Sequence, residues 1–119
     1  MNEQFLKGVG QFNRQFFFEA HDTWEELWME TSGPDRLFYQ GLIQMAVGFY
    51  HLSNGNLNGA CSQLAKSLAK LDQYPPGFQG IDTEALVVRV RDCLEDATKV
   101  QRGELTAFDE SMIPQLSPC

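Results

Sequence analysis

The chain has 119 residues, 43% of them hydrophobic, and a formal net charge of −7. That length and composition fill one core without help from disulfides or metal, and they exclude an intrinsically disordered chain. The acidic balance excludes nucleic acid, whose phosphates demand a basic face, and an anionic membrane surface, so any charged partner is expected to be cationic.

Residues Phe5, Leu6, Val9 and Phe12 recur at helical spacing and predict a first helix from Asn2 to Asn13, weakened by Gly8 and Gly10. A second helix is expected from Phe17 to Ser32, with Ala20, Trp24, Leu27 and Trp28 on one side and a stop at Gly33. Pro34 suits the first turn of a third helix, Asp35 to Ser53, which is apolar over most of its circumference and should lie at the centre of the molecule. Gly41 and Gly48 share one face of it and should let a neighbouring helix approach closely. Asn54-Gly55-Asn56 reads as a terminating glycine followed by an asparagine cap.

The fourth helix, Leu57 to Leu71, carries the cleanest amphipathic pattern of the chain, with Leu57, Ala60, Cys61, Leu64, Ala65, Leu68 and Leu71 on one stripe. Tyr74-Pro75-Pro76-Gly77 then breaks the helix and should cross the bundle as a loop. Asp82 caps a fifth helix that ends at Gly103, with Ile81 and Leu86 placed for a hydrophobic staple. Residues 1–103 therefore form one helical domain, and residues 104–119 a tail laid on the surface or partly disordered. The fold class is all-α: a single compact bundle of about five helices.

Three cysteines, Cys61, Cys93 and Cys119, form no CxxC pair and leave an odd number, which fits a reducing cytosol. Cys61 and Cys93 read as small core residues. No basic segment with an apolar run opens the chain, and the longest apolar stretch, Leu42 to Tyr50, is too short to span a bilayer. The expected location is cytoplasmic.

Set against itself at an offset of 40, the chain aligns Phe12 with Leu52, Phe17 with Leu57, Ala20 with Ala60, Trp24 with Leu64 and Trp28 with Leu68. The bundle is thus read as two similar helical hairpins plus a C-terminal helix. The second copy also resembles a tetratricopeptide repeat, which makes a short protein-interaction module one reading. Two copies fall short of the three or so that a solenoid needs, so a closed bundle is expected.

Chemistry concentrates on the second and third helices. His21, Glu25 and Trp28 share one face, as do Gln40, Gln44 and His51 on an otherwise apolar cylinder. If these helices are antiparallel about Gly33-Pro34, positions summing to about 69 face each other, because both rise equally per residue. Glu25 then faces Gln44, Trp28 faces Gln40 or Gly41, and His21 faces Gly48 within reach of His51.

Three readings follow. The first is a polar cluster of His21, Glu25, Gln40, Gln44 and His51 that fixes helix register or binds a small ligand. The second is a divalent metal held by His21, Glu25 and His51, since two imidazoles and a carboxylate suffice for a catalytic ion in a hydrolase-like enzyme. The third is metal-free acid/base work by Glu25 or Glu19 with a histidine partner. Trp24 and Trp28 are read as core, Tyr74 with its two prolines as a loop or a lid over the seam, and Asp92, Glu95 and Asp96 as a solvated face.

The set Phe12-Asn13, Glu19-Ala20-His21 with Glu25 and Trp28, Gly41-Leu42-Ile43-Gln44, and His51 with Gly55-Asn56 and Gly59-Ala60 resembles the DUF309 family over residues 5–90. The resemblance implies an all-α bundle in a bacterial or archaeal cytosol and supplies no activity. Arg14-Gln15 departs from it, where a glycine or an acid is expected in the turn. Catalysis, cofactor and ligand stay open at this point, a divalent metal being the candidate cofactor; a homo-oligomer and a small-molecule or protein partner are all compatible.

Overall fold

Helix boundaries follow from local capping. Asn2 Oδ1 accepts from the Phe5 amide at 3.0 Å and opens helix α1, Glu3–Asn13. The molecule is seen in a computed structural model that describes residues 2–118. Helix α2 spans Phe17–Glu30, ending two residues before the expected Ser32. Thr31 has turned to extended backbone, and its hydroxyl folds back to donate to the Leu27 carbonyl at 2.6 Å.

Helix α3 runs Pro34–Ser53 with the proline at its first position. Helix α4, Leu57–Leu71, has the expected bounds and is capped by Asn56 Oδ1 accepting from the Gly59 amide at 3.0 Å. Helix α5, Thr83–Gln101, is capped by Asp82 in the same way, with Ile81 and Leu86 both buried at the staple positions.

These five helices pack as an elongated body of 41 × 25 × 21 Å, all-α among the described residues apart from one isolated bridge between Ile81 and Pro118. Helix α3 is central as expected, with α2 on one side and α4 on the other, and Phe38, Leu42, Met45, Ala46 and Phe49 fully buried. A methyl group at Gly41 or Gly48 would lie 2.9 or 2.8 Å from Leu71 or Leu64 of α4, so those two glycines set the α3–α4 spacing. Ser67, also buried, donates to the Gly41 carbonyl at 2.8 Å across that contact. No described helix is long and apolar enough to cross a membrane.

The repeat is reproduced in backbone detail. In the α1–α2 turn the Phe16 amide donates to the Gln11 carbonyl at 2.9 Å; in the α3–α4 turn Asn56 donates to His51 at 2.8 Å. The Arg14 amide donates to Gly10, and the Asn54 amide to Tyr50, each at 3.2 Å. Gln15 takes φ 66° where Gly55 takes φ 76°. Left-handed backbone costs nothing at glycine and about 1–2 kcal/mol at a residue with a Cβ, so the glycine missing from the first turn is paid as strain at Gln15.

Tyr74 and Phe78 set their ring edges against Phe38, with centroids 5.1 and 4.9 Å away, and the Tyr74 hydroxyl donates to the Pro34 carbonyl. The Tyr74-Pro75-Pro76 segment therefore packs at the N-terminal end of α3, the opposite end from His51. Beyond Gly103 the chain makes one short 3₁₀ turn, Glu110–Met112, and then runs extended. Leu116 is 4% exposed. Its amide donates to Asn13 Oδ1 at 2.8 Å and its carbonyl accepts from Asn13 Nδ2 at 3.0 Å, while Asp82 N–H donates to the Ser117 carbonyl at 2.9 Å. Cys93 is buried and donates to the Met112 carbonyl at 3.4 Å; Cys119, the third cysteine, lies outside the described residues.

Candidate functional site

The α2–α3 seam has the antiparallel register expected from the turn. Phe17 meets Phe49 at a centroid distance of 5.8 Å and Phe18 meets Tyr50 at 5.5 Å. His21 and His51, the two histidines of the chain, line one shallow pocket of about 200 Å³ together with Phe17, Phe18, Val47 and Tyr50.

Helix geometry explains the make-up of this pocket. Phe17 is buried against Phe12 and Phe49, so the next residue, about 100° further round the helix, must point outward. Phe18 accordingly stands 48% exposed, and Tyr50, which follows buried Phe49 on α3, is 39% exposed. The result is a ribbon of four rings, His21–Phe18–Tyr50–His51, with successive centroids 5.5, 5.5 and 6.0 Å apart. Each pair is tilted rather than parallel, as ring quadrupoles favour.

The five polar residues expected to converge are only partly brought together. His21 Nε2 is 3.3 Å from Glu25 Oε2, and its Nδ1 is 3.3 Å from both the Asp22 carboxylate and the Phe18 carbonyl. Glu25 is 48% exposed and turns along its own helix toward His21. Gln44 instead buries its Oε1 without a hydrogen-bond partner, so the Glu25–Gln44 pairing expected from the register is replaced by a Glu25–His21 pair. Gln40 is half-buried one turn earlier on α3. His51 Nδ1 lies 3.4 Å from Asn56 Nδ2, at the start of the next helix. Among the described residues, no group of three or more His, Cys, Asp or Glu side chains is close enough together to hold a metal ion.

Trp24 is fully buried, its Nε1–H donating to the Phe5 carbonyl at 3.1 Å, and it fills the space a side chain at Gly8 would need. Trp28 is half-buried, and Arg36 lies 4.0 Å over its ring while donating to the Trp28 and Thr31 carbonyls at 2.9 and 3.0 Å. Arg36 thus covers the indole and satisfies the open carbonyls at the α2 C-terminus. The Trp28 Nε1–H is buried without a partner, so the seam holds one orphan donor and one orphan acceptor.

Sequence reasoning missed Phe18 as a site residue and counted Tyr50 among the apolar positions of the central helix. The readable signal was Phe17-Phe18 itself, because two adjacent aromatics cannot share one face of a helix. Phe18 also falls in register with Asp22 and Glu25, on an acidic stripe. A larger hollow of about 520 Å³ lies elsewhere, between Asn13, Arg89 and the tail, and contains none of the expected site residues.

Two structurally duplicated hairpins, a closing fifth helix and an aromatic surface pocket on the α2–α3 face define the class: a small all-α hairpin-repeat bundle. Residues 5–63, from α1 into α4, match the family model described as "Domain of unknown function (DUF309)", which supports the resemblance read from the sequence. The match takes in both turns and the whole aromatic ribbon and leaves out α5 and the tail. No curated protein matches the chain.

Proposed function

We propose that this chain is a small non-catalytic binding protein whose site is the aromatic pocket on the α2–α3 face. The observation that carries the reading is the ribbon His21–Phe18–Tyr50–His51, which leaves Phe18 about half exposed over a pocket floored by Phe17 and Val47. Large apolar groups left outward on a rigid helix pair mark interaction sites more often than isolated exposed residues do. At about 200 Å³ the pocket suits one aromatic or branched side chain rather than an entire metabolite.

Indole is the direct probe, followed by NMR through the ring resonances of Phe18, Tyr50 and both histidines. Saturable shifts confined to these rings, lost in Phe18→Ser, are expected. Unsaturable or scattered shifts would remove the reading.

A second reading keeps the same residues. A divalent ion in a hydrolase-like enzyme would take His21 and Glu25, 3.3 Å apart, and His51 on the rim of the same pocket as ligands, three groups that do not stand at ligating distance from one another as the chain is folded here. His51 would first have to leave Asn56 and swing toward His21. Elemental analysis of protein purified without chelator or affinity metal tests it: a stoichiometric ion that His51→Ala abolishes is the expected result, and failure to load any ion sinks it. The cytoplasmic setting proposed for the chain suits either reading.

A further inference from the structure

The charge on the stretch of chain that carries the pocket is one-sided. Between Arg14 and Lys66 the chain carries six acidic residues, Glu19, Asp22, Glu25, Glu26, Glu30 and Asp35, against one basic residue, Arg36. Arg36 is already engaged by the Trp28 ring and by the Trp28 and Thr31 carbonyls. Six minus one leaves a formal −5 of the chain's −7 within this stretch of the sequence.

The acids are also ordered. Phe18, Asp22, Glu25 and Met29 stand at i, i+4, i+7 and i+11 of α2, which places all four on one stripe about 16 Å long. Its two ends are apolar and exposed, Phe18 at 48% and Met29 at 67%, and the two positions between them are carboxylates. Tyr50 widens the Phe18 end into the pocket, and Met29 offers the other end a pliable apolar surface.

Building on the binding-site reading above, we propose that this stripe docks a basic amphipathic helix belonging to a partner protein. One apolar side chain of that helix enters between Phe18 and Tyr50, a second lies over Met29 about three turns away, and lysines or arginines between them meet Asp22 and Glu25. Charge complementarity selects this occupant. A second copy of the chain would bring the same acidic stripe against itself, and like charges oppose such a face-to-face dimer.

The test uses the full chain and two synthetic helical peptides of about five turns, with leucines in identical positions and either lysines or glutamates at the remaining ones. The lysine peptide is expected to bind at least about tenfold more tightly than the glutamate peptide, with affinity falling as salt rises. Phe18→Ser and Met29→Ser should each weaken it by roughly tenfold. Asp22→Asn with Glu25→Gln should weaken it several-fold and flatten its salt dependence, whereas Asp92→Asn with Asp96→Asn on α5 should change neither. Thermal melts of all variants confirm folding; every substituted side chain is exposed except Asp96, which is half-buried on α5.

Equal loss from the α2 and α5 neutralisations would overturn the proposal, because the peptide would then be reading net charge alone. If both peptides bind equally and both lose affinity in Phe18→Ser, the pocket reading stands and the choice of a basic partner falls. If neither depends on Phe18, both fall. Self-association of the chain that Phe18→Asp abolishes would assign the face to a second copy and likewise overturn it.

Discussion

Asn13 holds Leu116, 103 positions away, by both of its backbone groups: the carboxamide oxygen takes the Leu116 amide at 2.8 Å and the carboxamide nitrogen gives to its carbonyl at 3.0 Å. A side-chain amide here imitates a paired strand and pins an extended segment whose own geometry offers no internal partner.

Asn13→Ala removes both bonds and leaves the Leu116 backbone groups to find water. A destabilisation of about 1–3 kcal/mol is expected by chemical denaturation. Amide exchange in residues 113–117 should rise by a far larger factor than exchange in α3. Unaltered exchange in the tail would show that the Ile81–Pro118 bridge and Leu116 burial suffice.

The paired turns make opposite predictions at equivalent positions. Gln15→Gly relieves left-handed strain and adds unfolded-state freedom; the first outweighs the second, giving a net gain of roughly 0.5–1 kcal/mol. Gly55→Gln imposes the same strain on the second turn, less the same unfolded-state term, and should cost roughly 0.5–1 kcal/mol. Urea midpoints of the two variants, moving in opposite directions, are the check.

Gln44 keeps a buried oxygen without a partner. Methionine has nearly the same length and no acceptor to desolvate, so Gln44→Met should raise stability by about 1 kcal/mol. A fall in melting temperature would mean that the glutamine amide has a partner in solution.

Burial raises the Cys93 thiol to about 12, a shift that Asp92 and Asp96 support and Arg89 opposes. The folded chain therefore keeps its proton where the unfolded chain would lose it. This contribution to stability is complete below the unfolded value near 9 and is lost as pH climbs from there toward 12. At pH 8, iodoacetamide should modify Cys93 only as fast as the protein opens, so the rate should rise with denaturant in step with unfolding. Rapid labelling of the native chain would contradict its burial.

What was legible in the sequence was what local rules govern. The bounds of α4 came from its unbroken apolar stripe and the Asn56 cap, and the seating of α4 on Gly41 and Gly48 came from their shared face. The end of α2 was misplaced because Ser32 and Thr31 are tolerated in helices, and only the return of the Thr31 hydroxyl to Leu27 shows where the backbone turns out. At the site, the approach of His21 to the His51 end of α3 was legible because equal helical rise fixes an antiparallel register. The orientation of Glu25 was not, since a carboxylate with His21 one turn away has a nearer partner than Gln44 across the seam. The Asn13–Leu116 grip leaves no periodic trace in either segment.

The duplicated turns also bear on the order in which the molecule assembles as it is made. Each hairpin closes through a turn of a few residues, so α1–α2 and then α3–α4 can form while synthesis continues, whereas joining residue 13 to residue 116 closes a loop some twenty- to thirtyfold longer, at a cost of roughly 3 kcal/mol more in chain entropy. The two helical hairpins therefore form before the Asn13–Leu116 contact, and the first turn is the last part of the molecule to be sealed.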